Sequence, residues 1–406
     1  MTAPARAPEV WADLAAAARA RCSELPQPGP ECEEWRAVDH KALRASLLAH
    51  PVGAGESPDH DHASILTVGD ATPTDEDTVG PPVWPGVTAT PFAALAPAAA
   101  TALAARWKAR LAAATDAAAC WPHLHRGGGW HIVASVKAQV GVERPLFLTL
   151  ADTRSGDGAS ATRIAIDIAP GAALALVILH AALAPGRSHV LIDAVLGRGA
   201  SLIVEEAQTG PAADESILLV DRHVRLDQDA SLTWTTVADG AALARFATVV
   251  DLAGTGAHAD VGGLANPEGR TQVHHHLVLH HRTGMTTSQQ QFRAVVADRA
   301  RAGCDGIVRI DQGADGANAS QRINNLLLSA HARADSRPRL DIHADDVQAA
   351  HGAATGALDR EELFYLRARG LDDHAATALL VRGFATTVLD RLRTPEGRSW
   401  IAEHED

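Results

Sequence analysis

Lysine is nearly missing from this chain of 406 residues: it occurs only at Lys41, Lys108 and Lys137, and arginine supplies almost all of the positive charge. The formal net charge is -13, which leaves no basic face for a phosphate backbone and argues against nucleic acid as a partner. The four cysteines (Cys22, Cys32, Cys120 and Cys304) are dispersed without a C-x-x-C pair, so neither a disulfide framework nor a self-contained four-thiolate metal site is expected. No apolar run approaches the ~18 residues of a membrane span. The opening MTAPARAPEVWADLAAAARAR lacks the basic segment and apolar core of a secretory signal. It reads as a short amphipathic helix, and a soluble protein with no membrane association, located in the cytoplasm, is expected. Also missing are a G-x-x-x-x-G-K-S/T loop, a G-x-G-x-x-G after a strand, H-E-x-x-H and G-x-S-x-G. No self-sufficient nucleotide-binding or hydrolytic site is therefore expected.

What is present divides the chain into three. Residues 1–130 read as an N-terminal helical and mixed region, 131–345 as a β-rich core, and 346–406 as a C-terminal helical domain. In the first part Val10 to Cys22 is one helix, and Phe92 to Ala119 is an Ala-rich hairpin or long helix. Residues 50–86 are mainly loop with short strands, where His60 and His62 flank Asp61 in a polar stretch. From about Val133 the texture changes to short apolar–polar alternations: Leu146–Leu150, Arg163–Ile168, Ala173–Leu179, His189–Val195, Ser201–Glu205, Ser216–Arg225, Ser231–Val237 and Phe246–Leu252. A turn-then-strand phrase recurs every 27–30 residues or so, with Gly171-Ala172, Gly199-Ala200, Asp229-Ala230 and Gly256-Ala257 each leading into a strand. Units that cannot close a core alone must stack. The fold class expected is mainly β: a right-handed parallel β-helix core running to about Ile342, flanked by N-terminal and C-terminal α-helical regions.

The segment from Leu340 to Phe384 reads as a strand at Leu340 and Ile342, then a turn through Asp345-Asp346-Val347. A small-residue loop carrying His351 follows, and then two helices. Asp359 is an N-cap with Glu361 and Glu362 in the first turn, Gly370 is a stop, and the second helix starts near Asp372. Two sets of residues carry candidate chemistry. His274, His276 and His280 share one face of a strand and His275 and His281 the other; the first three could ligate a metal through imidazole, or could be ordinary polar residues stacked between rungs. His351 lies near Asp345 and Asp346, where a neutral imidazole could be an iron ligand oriented by a carboxylate, or a capping or packing histidine.

The string ADDV-x-A-x-HGA-x-x-G-x-LD followed by LFYLRARG resembles the SufB/SufD family of the SUF iron–sulfur cluster assembly system, and within it the SufD branch. SufB chains usually have an HEAT-like string where this one has His351-Gly352-Ala353-Ala354. Further family phrases follow in order: Leu25-Pro26 with Glu33-Glu34-Trp35-Arg36, Val142-Glu143-Arg144-Pro145-Leu146, the run from Val273 to Asp311, and Gln321 with Asn324 to Ser329. One departure stands at Ala349, where relatives often carry Cys.

The resemblance implies a non-catalytic scaffold subunit that pairs with SufB as a heterodimer and recruits the SufC ATPase, with a homodimer through the same surface as the alternative for the chain alone. It implies that no cofactor is held by this chain by itself and that a nascent Fe–S cluster is shared with SufB, with His351 as the one ligand from this side. It also implies that the C-terminal helices, with Phe364, Tyr365, Arg369 and Phe384, form the SufC docking surface. Three other readings stay open: a SufB-like cluster carrier, a cytoplasmic β-helix polysaccharide-active enzyme, and a His-rich metal-binding protein using residues 274–281.

Overall fold

The computed structural model describes residues 7–38, 41, 43, 65–69, 85–124, 129–151, 159–181, 186–208 and 216–398. His60 and His62 lie outside them. Among these residues the chain forms two nine-stranded sheets, which make a parallel solenoid of about seven turns. One sheet holds the strands Leu146–Ala151, Ala173–Ala181, Ser201–Gln208, Ser231–Ala238, His258–Ala265, Thr287–Val296, Ala317–Leu327 and Val347–Ala357. The other holds Gly129–Ala134, Ala159–Ile168, Gly186–Leu196, Ser216–Leu226, Leu243–Leu252, Gln272–His281, Arg301–Ile310 and Arg333–Ile342. The chain alternates between them, so each turn adds one strand to each sheet. The first strand of each sheet, Ile65–Gly69 and Val87–Pro91, pairs antiparallel and closes that end of the stack.

The alternation in the sequence is what separates inside from outside. Leu174, Leu202, Leu232 and Ala259 line up in register and are buried, and in the facing sheet the buried Ile164 pairs with Ile192 and the buried Ala194 with Val224. The recurrent turn is the second device. Ala172, Ala200, Ala230 and Ala257 all enter the same core, each just after a residue with positive φ: Gly171 (71°), Gly199 (65°), Asp229 (56°) and Gly256 (76°). The N–H of Gly171 donates to the Arg198 carbonyl (2.9 Å), that of Gly199 to Gln228 (2.8 Å) and that of Asp229 to Thr255 (3.0 Å). Turns therefore stack on turns, and the left-handed residue is what aims each N–H at the next rung. Asp229 takes this conformation because Asp tolerates it better than most residues with a Cβ.

One polar cluster sits among the inward apolar rows. Arg222 meets Glu206 at 2.6 Å and lies over the rings of Trp234 (5.1 Å) and Phe246 (4.7 Å). Glu206 also bonds the His180 ring (2.6 Å) and accepts from the Trp234 indole (2.8 Å). Burial would raise the Glu206 carboxyl, yet Arg222, His180 and Trp234 together hold it at about 2.

Helices cover both outer faces. The Ala7–Glu24 and Pro97–Ala112 helices pack on the second sheet. Trp107 donates to Asp193 (3.1 Å), and Arg106 pairs with both Asp193 and Asp167 (2.6 Å each). Phe92 to Ala119 is thus neither a hairpin nor one helix. A 3-10 turn at Phe92–Ala94 precedes the helix and a second 3-10 segment, Ala117–His123, follows it, started by Asp116 accepting from the Ala118 N–H (2.8 Å). On the first sheet the Asp373–Leu389 helix and the chain after it run back along the solenoid. Leu392 packs with Phe147, Val177 and Val237, and Thr394 donates its N–H to Glu205 (3.0 Å).

The rungs do not stop at Ile342. Val347–Ala357, expected as a loop leading to the helices, is an eleven-residue strand paired in register with Ala317–Leu327. Its small side chains give no alternation to read, and its conformation is set by the preceding rung.

Two outcomes test this account. A Cβ at position 199 would meet nothing within 4 Å, so Gly199→Ala should cost only the conformational term, about 1–2 kcal/mol, whereas Asp229→Gly should cost no more than a few tenths; urea midpoints of both variants measure this. Because the Glu206 pKa is lowered from 4.5 on folding, its contribution is present above about pH 4.5 and is lost as pH falls toward 2. Glu206→Gln should lower stability at pH 7 by about 3–5 kcal/mol by leaving Arg222 buried and unpaired, and should flatten that part of the pH dependence of thermal unfolding.

Candidate functional site

The last turn of the solenoid is built differently from the others. Its two strands, Arg333–Ile342 and Val347–Ala357, hold no residue as buried as the inward rows before them, because among the described residues no further rung covers them. Arg333–Ile342 carries Arg333, Asp335, Arg337, Arg339 and Asp341 together with Pro338, a composition that discourages another strand from pairing. Val347–Ala357 carries no Asp, Glu, Lys, Arg or Pro. It is a bare edge of Ala, Gly, Thr and Gln around one imidazole.

That imidazole is His351. It is exposed, it pairs in register with Gln321, and Gln321 in turn donates to Gln290 at 2.5 Å. Gln290, Gln321 and His351 stand on successive strands of one sheet, so a column of buried amides ends on an exposed histidine. A cleft of about 250 Å³ opens here, lined by Gln290, Gln321, Arg322, His351 and Gly352 among others. The two glutamines were not singled out by sequence reasoning, although they lie in the Gln289-Gln290-Gln291 run and the Gln321 phrase. Asp345 and Asp346 do not orient His351. Both lie in the bend before the strand, where Asp346 accepts from the Gly316 N–H and donates to Asp315, and five extended residues place His351 about 16 Å further on. Ala349 is half-buried on the same strand, packed with Leu340 and Val347 against the Val308–Ala319 cluster.

The helices beyond the edge start and stop as their sequence directs. Asp359 accepts from the Glu361 N–H (2.7 Å) and Gly370 turns at φ 98°. Asp372 then caps the second helix through the Ala375 N–H (2.8 Å). The Arg360–Ala368 helix has no buried residue, and Phe364 (72 %) and Tyr365 (57 %) are exposed, with Arg369 lying over the Tyr365 ring at 5.0 Å. Leu379 on the next helix is exposed as well. Phe384 is different. It is half-buried, the Arg293 guanidinium lies 4.7 Å from its ring, and it serves to hold the helix on the sheet.

The five clustered histidines divide as their strand parity requires. His275 is stacked on Phe246 (5.3 Å, 17°) and close to Phe292, and burial pushes it down to about 3. His281 bonds Thr286 and Ser288 (2.8 Å each), and burial lowers it to about 4. On the other face His274 bonds Gln272, His276 faces Asp305 and His280 bonds Asp311 (2.7 Å). His274, His276 and His280 therefore each meet a different partner on the strands and turns around them. Among the described residues no group of three or more His, Cys, Asp or Glu is arranged to hold a metal ion.

In the N-terminal region, Trp35 is fully buried in a 3-10 turn, donates to Asp116 (2.9 Å) and is covered by the Arg245 guanidinium at 4.1 Å. The Glu-x-Trp-Arg phrase thus fastens the N-terminal region to the solenoid. No helix among the described residues is long and apolar enough to cross a membrane.

Comparison with known proteins places this architecture. Residues 150–384 match the family described as SUF system FeS cluster assembly, SufBD core domain. The iron–sulfur cluster assembly protein SufD of Escherichia coli is 33% identical over 154 residues, 38% of this chain and 36% of that protein. An iron–sulfur cluster assembly SufBD family protein of Mycobacterium bovis is 33% identical over 204 residues, 48% of this chain and 51% of its own length. The chloroplastic protein ABCI7 of Arabidopsis thaliana is 35% identical over 133 residues, 32% and 28% of the two chains. The matched stretches span about half or less of these relatives. The family match covers more than half of the present chain, including every rung from Ala159 to Ala357 and most of both C-terminal helices, and the chain belongs to the SufBD core family of the SUF iron–sulfur cluster assembly system.

Proposed function

We propose that this chain is the SufD-type scaffold of a SUF assembly complex: it pairs with SufB through the open end of its solenoid and docks the SufC ATPase on its C-terminal helices. The observation that carries the proposal is the edge strand Val347–Ala357, free of Asp, Glu, Lys and Arg, which among the described residues pairs on one side only and presents a row of backbone donors and acceptors with His351 at its centre. Such an edge binds another strand by main-chain pairing, and side chains in the flanking cleft set the register. In a heterodimer formed this way His351 faces the partner across the junction. Iron and sulfide are the cargo there. A neutral imidazole suits iron, and with no group of three or more His, Cys, Asp or Glu arranged to hold a metal among the described residues, the remaining ligands come from SufB. The SufD-type assignment, over a SufB-type carrier, rests on His351-Gly352 and on the likeness to the Escherichia coli protein. The chain performs no catalysis by itself; ATP hydrolysis by SufC supplies the work that opens and closes the junction.

Docking on the helices follows the same reasoning. A short helix with no buried residue and two exposed aromatic rings is poorly explained by packing within the chain, whereas aromatic anchors of this kind dominate interface energetics.

Two measurements test the reading. Co-expressed anaerobically with SufB and SufC of the same organism, the His351→Ala variant should co-purify at wild-type ratios while its visible cluster absorption falls several-fold; unchanged absorption would make His351 a structural residue, and failure of the wild type to assemble would sink the scaffold reading. Phe364→Ala with Tyr365→Ala should weaken SufC binding at least ten-fold, about 1.4 kcal/mol, with SufB pairing and thermal stability unchanged, as read by titration calorimetry; equal SufC affinity would move the docking site elsewhere.

A further inference from the structure

The dispersed cysteines are not all apart in space. Cys22 lies in the last turn of the Ala7–Glu24 helix and packs against the apolar cluster in which Cys120, from the Ala117–His123 segment, is buried. The junction is fixed by bonds that do not involve sulfur. Arg21 donates to the carbonyls of Leu111 (3.2 Å) and Ala114 (3.1 Å), and the Ala117 N–H donates to Pro26 (3.0 Å). Trp35 and the Ala118 N–H both hold Asp116. The helix end and the 3-10 segment are thus pinned side by side.

The two sulfurs are inequivalent. Cys22 is half-buried, and the hydrogen bond from Cys120 lowers it to about 7 despite its burial. Cys120 is fully buried, and its bond to Cys22 together with burial raises it well above an ordinary thiol. The other two cysteines are less prone to form thiolates: burial and Asp116 raise Cys32, which donates to the Gln27 carbonyl (3.3 Å), and Cys304 is buried in the solenoid and raised strongly. One member is accessible and thiolate-prone; its neighbour is positioned to resolve it.

We infer that Cys22 and Cys120 form a redox site that closes to a disulfide on reaction with a hydroperoxide. The Cys22 thiolate attacks the distal oxygen of hydrogen peroxide, the O–O bond breaks, and the departing hydroxide takes up a proton as water, leaving Cys22 as a sulfenic acid. The Cys120 thiol then gives up its proton and attacks the Cys22 sulfur, the S–O bond breaks, and the hydroxide leaves as a second water. Two thiols and one peroxide yield one disulfide and two waters, with sulfur oxidised and peroxide oxygen reduced. The bond would tie the N-terminal helix to the segment whose Trp121 covers Arg187 (5.3 Å) and His189 (5.2 Å) on the solenoid, locking the helical layer onto the sheet beneath. A cross-link enclosing nearly a hundred residues constrains the unfolded chain strongly.

Thiol counting on the full chain, reduced, desalted and exposed to a small excess of hydrogen peroxide, tests the site. Titration with dithiobis(nitrobenzoate) in guanidinium should fall from four thiols to two and return to four with dithiothreitol. Mass spectrometry of the non-reduced digest should show Cys120 joined to the peptide that holds Cys22 and Cys32, with fragmentation assigning the bond to Cys22. In Cys120→Ser, dimedone should label Cys22 as sulfenic acid; in Cys22→Ser, three thiols should persist. The wild-type count stands even where a variant folds poorly. Four surviving thiols, a cross-link through Cys32 or Cys304, or oxidation of Cys22 to sulfinic acid without a cross-link would each overturn the inference.

Discussion

A parallel solenoid satisfies the backbone of each rung with the rung beside it, so the stack must have two ends, each leaving an unsatisfied edge on both sheets. Most of what is particular to this chain is a response to that constraint. At the amino-terminal end the response is closure: an antiparallel strand is laid on each sheet, and helices cover one outer face. At the carboxyl-terminal end it is selective. One of the last two strands is armed with alternating charges and a proline, while the other is stripped of both. The chain after Ala357 then runs along the outer face of the sheet, with Asp373–Leu389 contacting earlier strands instead of folding across the open edge.

The scarcity of lysine, which composition alone would assign to the coding bias of the genome, has a physical counterpart. Arg163, Arg187, Arg222 and Arg245 each lie over tryptophan or phenylalanine rings, and all four are buried. Three of them, Arg163, Arg187 and Arg245, join the solenoid to the N-terminal region through Trp11, Trp121 and Trp35. A planar, weakly hydrated guanidinium can stack face-on and still use its edge for a carboxylate, as Arg222 does with Glu206. An ammonium in those positions would have to shed a tighter hydration shell with no planar face to offer in return.

The fold was legible wherever side chains alternate. Strands read at Arg163–Ile168, Ser201–Glu205 and Ser231–Val237 extend by only a few residues in the structure, and the Gly/Asp-Ala phrase marks the stacked turns. Legibility failed where conformation comes from neighbours. VQAAHGAATGA has no period and few strand-favouring residues, and only its register against Ala317–Leu327 makes it a strand. The same limit hid the approach of Cys22 to Cys120, since proximity across the sequence is decided by helix docking. At the site, His351 was visible as an isolated imidazole between small residues, whereas the amide column behind it depends on the strand-to-strand register. The neighbouring aspartates were misread for the same reason: five residues of loop can bring two side chains together, but five residues of strand hold them apart.

A bare edge carries a risk of indiscriminate pairing, and the structure limits it by asymmetry. An incoming strand that added to Val347–Ala357 would bring its neighbouring strand beside Arg333–Ile342, where Arg333, Arg337 and Arg339 alternate with Asp335 and Asp341. A partner must therefore match a neutral strand on one sheet and a charged, proline-bearing one on the other in the same approach. Like-charge contacts in the wrong register oppose the attraction that the neutral edge supplies. A second copy of this chain brings an identical charged strand to the junction, whereas a paralogue with the same solenoid but different end charges can be tuned to fit better. Under the scaffold reading, the preference for a heterodimer over a homodimer is then set by the charged strand, while the neutral one supplies the attraction common to both.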